Sequence, residues 1–216
     1  MALWQVLAGG ERRLARGPAG QGPQELLAAS LTIDGLLGGA PGTLAAALRG
    51  LAAGPVPPGA RVVAPVGGQE VWAAGVTYTR SLDARVAESG TPDPYERVYG
   101  AERPELFLKA APGRVRGPGE PVGIRADSTW DVPEPELAVV ADTVKVADLH
   151  RSPGELVRWL FRALDFPVGV VLLTGTAIVP PPAFTLRAGD EVIIATTGLG
   201  ELRNVVEVIE PSPSAG

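Results

Sequence analysis

Apolar residues recur along this chain in short runs broken by Gly and Pro, with few stretches at helical spacing. Ala2 to Leu7, the Gly9-Gly10 turn and Arg13 to Ala15 predict an opening hairpin. Residues 24–52 predict two helices, the first carrying Leu26, Leu27 and Leu31, the second placing Leu44, Leu48 and Leu51 on one face. Gly54 to Gly59, with Pro55, Pro57 and Pro58, reads as a stiff linker. Strands follow at Arg61–Val66, Glu70–Val76 and Glu105–Lys109, and turns at residues 112–119 lead to an apolar strand after Glu136. Ser152-Pro153-Gly154-Glu155 has the capping-box pattern and predicts a helix to about Leu164, with Leu156, Trp159, Leu160 and Ala163 inward. Gly169–Leu173, Leu186–Ile194 and Gly198–Val206 complete the strands. The pattern predicts a mixed α+β, β-rich fold: a small N-terminal module over residues 1–60, a main domain over 61–210 and a disordered tail at 211–216.

The segment from 77 to 105 differs in character. It is dense in charge (Arg80, Asp83, Arg85, Glu88, Asp93, Glu96, Arg97, Glu102, Arg103) and poor in apolar residues. It reads either as a lid or binding loop or as a solvated helix laced with ion pairs.

Composition narrows the function classes. A formal charge of −5 with scattered basic residues leaves no electrostatic footprint for nucleic acid or an anionic membrane. No apolar run approaches the roughly 20 residues of a membrane span, and the N-terminus has no signal-peptide pattern. The absence of cysteine excludes disulfides and thiolate metal sites, and a cytoplasmic location is expected.

The candidate chemistry lies in Trp130–Val140. Glu134 and Glu136 stand two residues apart at the mouth of an apolar strand, where an extended backbone projects both to one face. Two carboxylates so placed share a proton or neutralise a cation, and a hard divalent ion such as Mg2+ is the natural occupant. The other reading is a solvated strand end bearing two surface glutamates.

Five motifs in order now resemble the fumarylacetoacetate hydrolase superfamily: Trp72-Ala73-Ala74-Gly75-Val76-Thr77-Tyr78, Arg103 to Lys109, Pro133 to Val140, Leu172-Leu173-Thr174-Gly175-Thr176, and Leu186–Asp190 with Gly198–Asn204. The resemblance implies a β-rich fold with a rolled sheet, a homodimer, and Mg2+ or Mn2+ chelating a 2-keto acid and stabilising its enolate as a Lewis acid. It implies Glu134 and Glu136 as metal ligands, Lys109 of the Phe-x-Lys strand as a catalytic residue beside the site, and Thr176 on the substrate carboxylate, with Thr174, Ser81 and Arg80 as further substrate-binding residues. Within the superfamily the chain looks like the dehydratase-like members of sugar-acid catabolism. These convert a 2-keto-3-deoxy sugar acid to a semialdehyde, and in them a Glu corresponding to Glu105 is the acid/base. Glu105 could equally pair with Arg103 or Arg80, and Lys109 could be a snorkelling strand-end lysine.

Two departures from the family pattern matter. Its C–C hydrolases carry a water-activating His at the position of Ser81, and serine is no base near neutral pH. The one histidine, His150, lies far from that motif and reads as structural or solvated. After the Glu-x-Glu strand the family runs through a segment of roughly sixty residues or more holding a third, aspartate metal ligand and a catalytic lysine. Here Ala138–Asp142 passes almost directly to Asp148–Ser152, which implies an internal deletion and a truncated rolled sheet. Asp131, Asp142 and Asp148 are the candidates to replace the missing ligand. Three functions remain: a metal-dependent lyase of dehydratase type, a non-catalytic family member that binds a ligand or partner, or a shortened form of a longer enzyme.

Overall fold

The computed structural model describes residues 1–78, 97–141, 152–162, 164–176 and 178–210. Expectations for Arg80, Ser81, Asp142, Asp148, His150, Ala163, most of the charged 77–105 segment and the 211–216 tail fall outside these residues.

The N-terminal sheet has the order β4-β3-β2-β1-β5. β1 (Ala2–Ala8) and β2 (Glu11–Gly17) form the expected hairpin, and Gly9 and Gly10 both hold positive φ at its turn. Two helices fall within residues 24–52, but the first does not carry Leu26, Leu27 and Leu31. Leu26 lies in β3 (Glu25–Leu26), which pairs with β2, and the helix α1 (Ile33–Leu37) begins later, capped by the Thr32 hydroxyl accepting the Gly35 N–H. Tertiary pairing has overridden a leucine spacing that also suits a helix. α2 (Thr43–Arg49) is present, but Leu51 lies beyond it and is almost fully exposed. The expected linker contains β4 (Gly54–Pro55), an edge strand that tolerates Pro55 because its missing N–H faces no partner. β5 (Arg61–Val62) closes the sheet against β1, so this sheet runs past residue 60. Leu14, Leu27, Ile33, Leu36, Leu37 and Ala47 form its core.

The central sheet has the order β7-β6-β10-β9. β6 (Glu70–Gly75) and β10 (Val170–Leu173) pair in parallel, β7 (Glu105–Ala110) runs antiparallel to β6, and β9 (Ala138–Ala141) runs antiparallel to β10. β6 and β10 are apolar at nearly every position because both faces are covered. Ala74, Val170 and Leu172 face Leu156, Val157 and Leu160 of α3 (Pro153–Leu160), while Val71 and Val171 face Ala64 and Val66. Ser152 caps α3 by accepting the Glu155 N–H, as its sequence predicts. The helix ends at Leu160 rather than Leu164, and Val157 takes the buried position expected of Trp159, whose ring instead lies against the Arg162 guanidinium.

A third sheet, β11-β12-β8, is built from β8 (Val122–Arg125), β11 (Glu191–Thr196) and β12 (Gly200–Ile209). The buried Asn204 amide donates to the Gly117 and Glu120 carbonyls and ties β12 to the turn before β8. The fold is therefore β-rich mixed α+β with few helices.

Gln69, fully buried, joins the N-terminal sheet to the central one. Its Oε1 accepts the Gly67 N–H at 2.7 Å, and its Nε2 donates to Asp34 Oδ1 on α1 and to the Val168 carbonyl, both at 2.7 Å. Gln69→Leu keeps most of the volume but strands these partners, so it should cost about 2–3 kcal/mol. Equilibrium urea unfolding measures this, and an unchanged midpoint would show that the three bonds add nothing net.

Candidate active site

Strand direction alone gathers the site. β6 and β10 are parallel, so both end at the same edge of the central sheet, and the antiparallel β7 and β9 both begin there. The registers Gly75↔Glu105 and Leu173↔Ala138 place Glu105, Thr77, the Thr174-Gly175-Thr176 segment and Glu136 at that edge.

Glu134 and Glu136 precede β9 rather than lying in it. Glu136 Oε2 accepts the Gly175 N–H at 2.5 Å. The neighbouring Leu137 carbonyl accepts both the N–H (3.1 Å) and the hydroxyl (2.9 Å) of Thr174, which fixes this loop to the end of β10. Burial pushes the Glu136 carboxyl above the usual glutamate range; the Gly175 N–H and the Lys109 charge pull the other way, and the Glu134 charge adds to the rise. Lys109 Nζ stands 3.9 Å from Glu134 Oε2, so one ammonium serves both carboxylates. Lys109 is the extra residue of a β-bulge: Val71 pairs with Ala110 and Trp72 with Leu108, leaving Lys109 without an opposite number. Bulges re-aim side chains next to functional sites, and Lys109, though exposed, reaches Glu134 from this one.

The other expected residues divide. Glu105 lies over Gly75, where any added Cβ would collide with its carboxylate. Thr176 is buried, and its hydroxyl bonds the Ile178 backbone, donating to the carbonyl and accepting the N–H. Thr174 is buried, and its hydroxyl donates to the Leu137 carbonyl. Asp131 is engaged through its backbone, its N–H donating to the Thr185 hydroxyl and its carbonyl accepting the Leu186 N–H. Among the described residues no group of three His, Cys, Asp or Glu could hold a metal ion. The residues missed in the sequence are Thr77, which donates from Oγ1 to the Thr174 carbonyl at 2.7 Å, and Gly75, which makes room for Glu105. Both lie in the Trp72–Tyr78 motif, but only the fold shows what they face.

The Glu136 shift has a sign that can be checked. A folded-state pKa above the unfolded value means that stability falls as pH rises between the two, and that the cost is absent at lower pH. Glu136→Gln keeps an acceptor for Gly175 and removes the buried charge. In chelator-treated protein it should raise the thermal midpoint at pH 7–8, and the gain should vanish below about pH 4. A gain that persisted in acid would assign the effect to something other than the charge.

The family model described as fumarylacetoacetate (FAA) hydrolase C-terminal matches residues 140–207. A probable 2-keto-3-deoxyxylonate dehydratase of Haloferax volcanii is 33% identical over 215 residues, covering 67% of this chain and 74% of that protein. That span is nearly as long as the 216-residue chain yet takes in two thirds of it, so within it the relative holds residues that this chain lacks. The 2-dehydro-3-deoxy-D-arabinonate dehydratase of Saccharolobus solfataricus is 45% identical over 87 residues, 38% of this chain and 29% of that protein. In fold, the chain is similar to a 2-keto-3-deoxy-D-arabinonate dehydratase solved with magnesium and 2,5-dioxopentanoate, with a TM-score of 0.73 at 23% identity over 98% of this chain and 100% of the other. It is also similar to a 5-carboxymethyl-2-hydroxymuconate delta-isomerase from Mycobacterium smegmatis, with a TM-score of 0.64 at 18% identity over 97% of this chain and 100% of the other. The order of motifs, the β-rich fold and the Haloferax match agree, and the chain belongs to the fumarylacetoacetate hydrolase family.

Proposed function

We propose that this protein is a divalent-metal-dependent dehydratase of a 2-keto-3-deoxy sugar acid. The observation that carries the reading is the half-desolvated Glu136 carboxylate, grouped with Glu134 and Lys109 at the sheet edge where Glu105 and Thr174–Thr176 also lie. Its support from relatives is the pair of dehydratases matched in sequence, both named for sugar-acid substrates.

The donor set fits Mg2+ or Mn2+. Mg2+ is commonly held by one or two carboxylates, with water and substrate oxygens completing its shell, and a carboxylate raised by burial and by a like-charged neighbour is one that a cation would relieve. Glu134 and Glu136 would hold the ion; bound there, it supplies Lewis-acid polarisation of the 2-keto acid and stabilises the enolate. Lys109 keeps the carboxylate pair charge-compensated. Thr176 holds the substrate carboxylate, with Arg80 and Ser81 assigned to the same role from the sequence alone, while Thr174 supports that segment through Leu137. Glu105 takes the proton from the carbon beside the ketone, and the electron pair moves into the enolate. The C–O bond one carbon further on then breaks, the leaving hydroxide takes the proton from Glu105 and departs as water, and the resulting enone loses a proton from its terminal CH2OH carbon and gains one at the carbon beside the ketone, giving an enol that tautomerises to the semialdehyde. The protein is also proposed to be a homodimer, a reading supported by the exposed apolar side chains Leu202, Val205, Val208 and Ile209 along β12.

A second reading has its own observation. With two carboxylates and no third ligand among the described residues, a family member that binds a ligand without turning it over is consistent with the site. Calorimetric titration of Mg2+ and Mn2+ into wild type and a Glu134→Ala/Glu136→Ala double variant separates the two. The dehydratase reading expects one-site binding that the double variant loses, together with formation of a semialdehyde from a racemic 2-keto-3-deoxypentonate. Glu105→Gln should lower turnover by roughly 10²-fold or more while leaving metal affinity nearly unchanged. Binding without turnover would favour the ligand-binding reading, and no binding above the double variant would sink the metal-dependent one.

A further inference from the structure

Thr77 and Glu136 bind opposite ends of one peptide group. The Thr77 hydroxyl donates to the Thr174 carbonyl at 2.7 Å, and the N–H of that same peptide, at Gly175, donates to Glu136 Oε2 at 2.5 Å. In a trans peptide the C=O and N–H point in opposite directions in one plane, so the two bonds hold that plane from both sides. They also reinforce each other: a donor on the carbonyl withdraws electron density and makes the N–H a stronger donor. From these contacts we infer that Thr77 is a positioning residue for Glu136, acting through the Thr174–Gly175 peptide. As a role in cation binding, this rests on the dehydratase reading above; as geometry, it does not.

The surroundings are built for the contact. Gly175 has φ +96°, a conformation that glycine adopts freely, and a Cβ at that position would collide with Thr77 Oγ1. Glycine therefore allows both the turn of the peptide and the close approach of the threonine. Val76, just before Thr77, has φ +48°, which is uncommon for any residue but glycine and costly for a β-branched one. This strained residue stands where the chain leaves β6 and presents the next side chain to the end of β10. Thr174 is held independently by Leu137, so the peptide has no slack with which to replace a missing Thr77 bond.

The experiment needs a readout of the peptide itself and one of the cation. Thr174-Gly175 and Thr197-Gly198 are the only Thr-Gly pairs in the chain. Protein labelled with carbonyl-13C threonine and 15N glycine thus gives two selected amide signals, with Gly198 as an internal control. In metal-free wild type the Gly175 amide proton should lie downfield and exchange slowly, as a short bond to a carboxylate requires. Thr77→Val should move it upfield and speed its exchange, leave Gly198 in place, and weaken Mn2+ binding about 10-fold or more. Thr77→Ser should restore both readouts. If Thr77→Val does not fold, Thr77→Ala carries the same measurements. An unmoved Gly175 amide with unchanged Mn2+ affinity in a folded valine variant overturns the inference, as does a serine variant that behaves like valine. If wild type binds no Mn2+, the dehydratase reading fails and the amide signal alone decides whether Thr77 positions Glu136.

Discussion

The parallel pairing of β6 with β10 is the constraint on which the site depends. Two strands 100 residues apart lie side by side in the same direction, register Glu70↔Val170, and are buried on both faces. Parallel neighbours require a crossover, and here α3 belongs to it and covers one face. Once the pair is set, each end-of-strand loop has a determined neighbour: Thr77 meets Thr174, and the antiparallel partners bring Glu105 and Glu136 to the same edge. A substitution in this apolar pair would therefore reach the site without touching any polar group in it.

The electrostatics follow from that placement. A glutamate half withdrawn from water carries a desolvation cost, and the fold offsets it only in part with one peptide N–H and a lysine ammonium. A second carboxylate beside the first, with a lysine from the bulge close by, is the charge arrangement that the proposed cation site calls for.

Much of this was legible beforehand, for reasons that differ by element. The opening hairpin, the β6 and β10 strands and the Ser152 cap carry strong local signals: alternation around Gly-Gly, uninterrupted apolar runs and a capping box. The helix expected over Leu26, Leu27 and Leu31 failed because three leucines at that spacing suit either a helix or a strand flank, and pairing with β2 decided it. The Glu-x-Glu pair was readable as a local pattern, but its partners were not. The bulge at Lys109 depends on register between two strands. The Thr77 contact depends on a crossover of nearly a hundred residues, and the pKa direction of Glu136 depends on burial that no spacing reveals.

The missing stretch of the family pattern changes what the remaining residues must do. In the described part of this chain no third acidic ligand joins Glu134 and Glu136, so a cation held there would be less tightly constrained by protein and more by water and substrate. Preorganisation of the two carboxylates then matters more than it would in a fuller shell, because each misplaced ligand is a larger fraction of the total. Glu136 is anchored through Gly175 and the adjoining Leu137–Thr174 contacts, and Glu134 is ion-paired with Lys109. The geometry of Glu136 is therefore carried by the backbone at the end of β10, which is set by the same parallel pairing that brought the strands together.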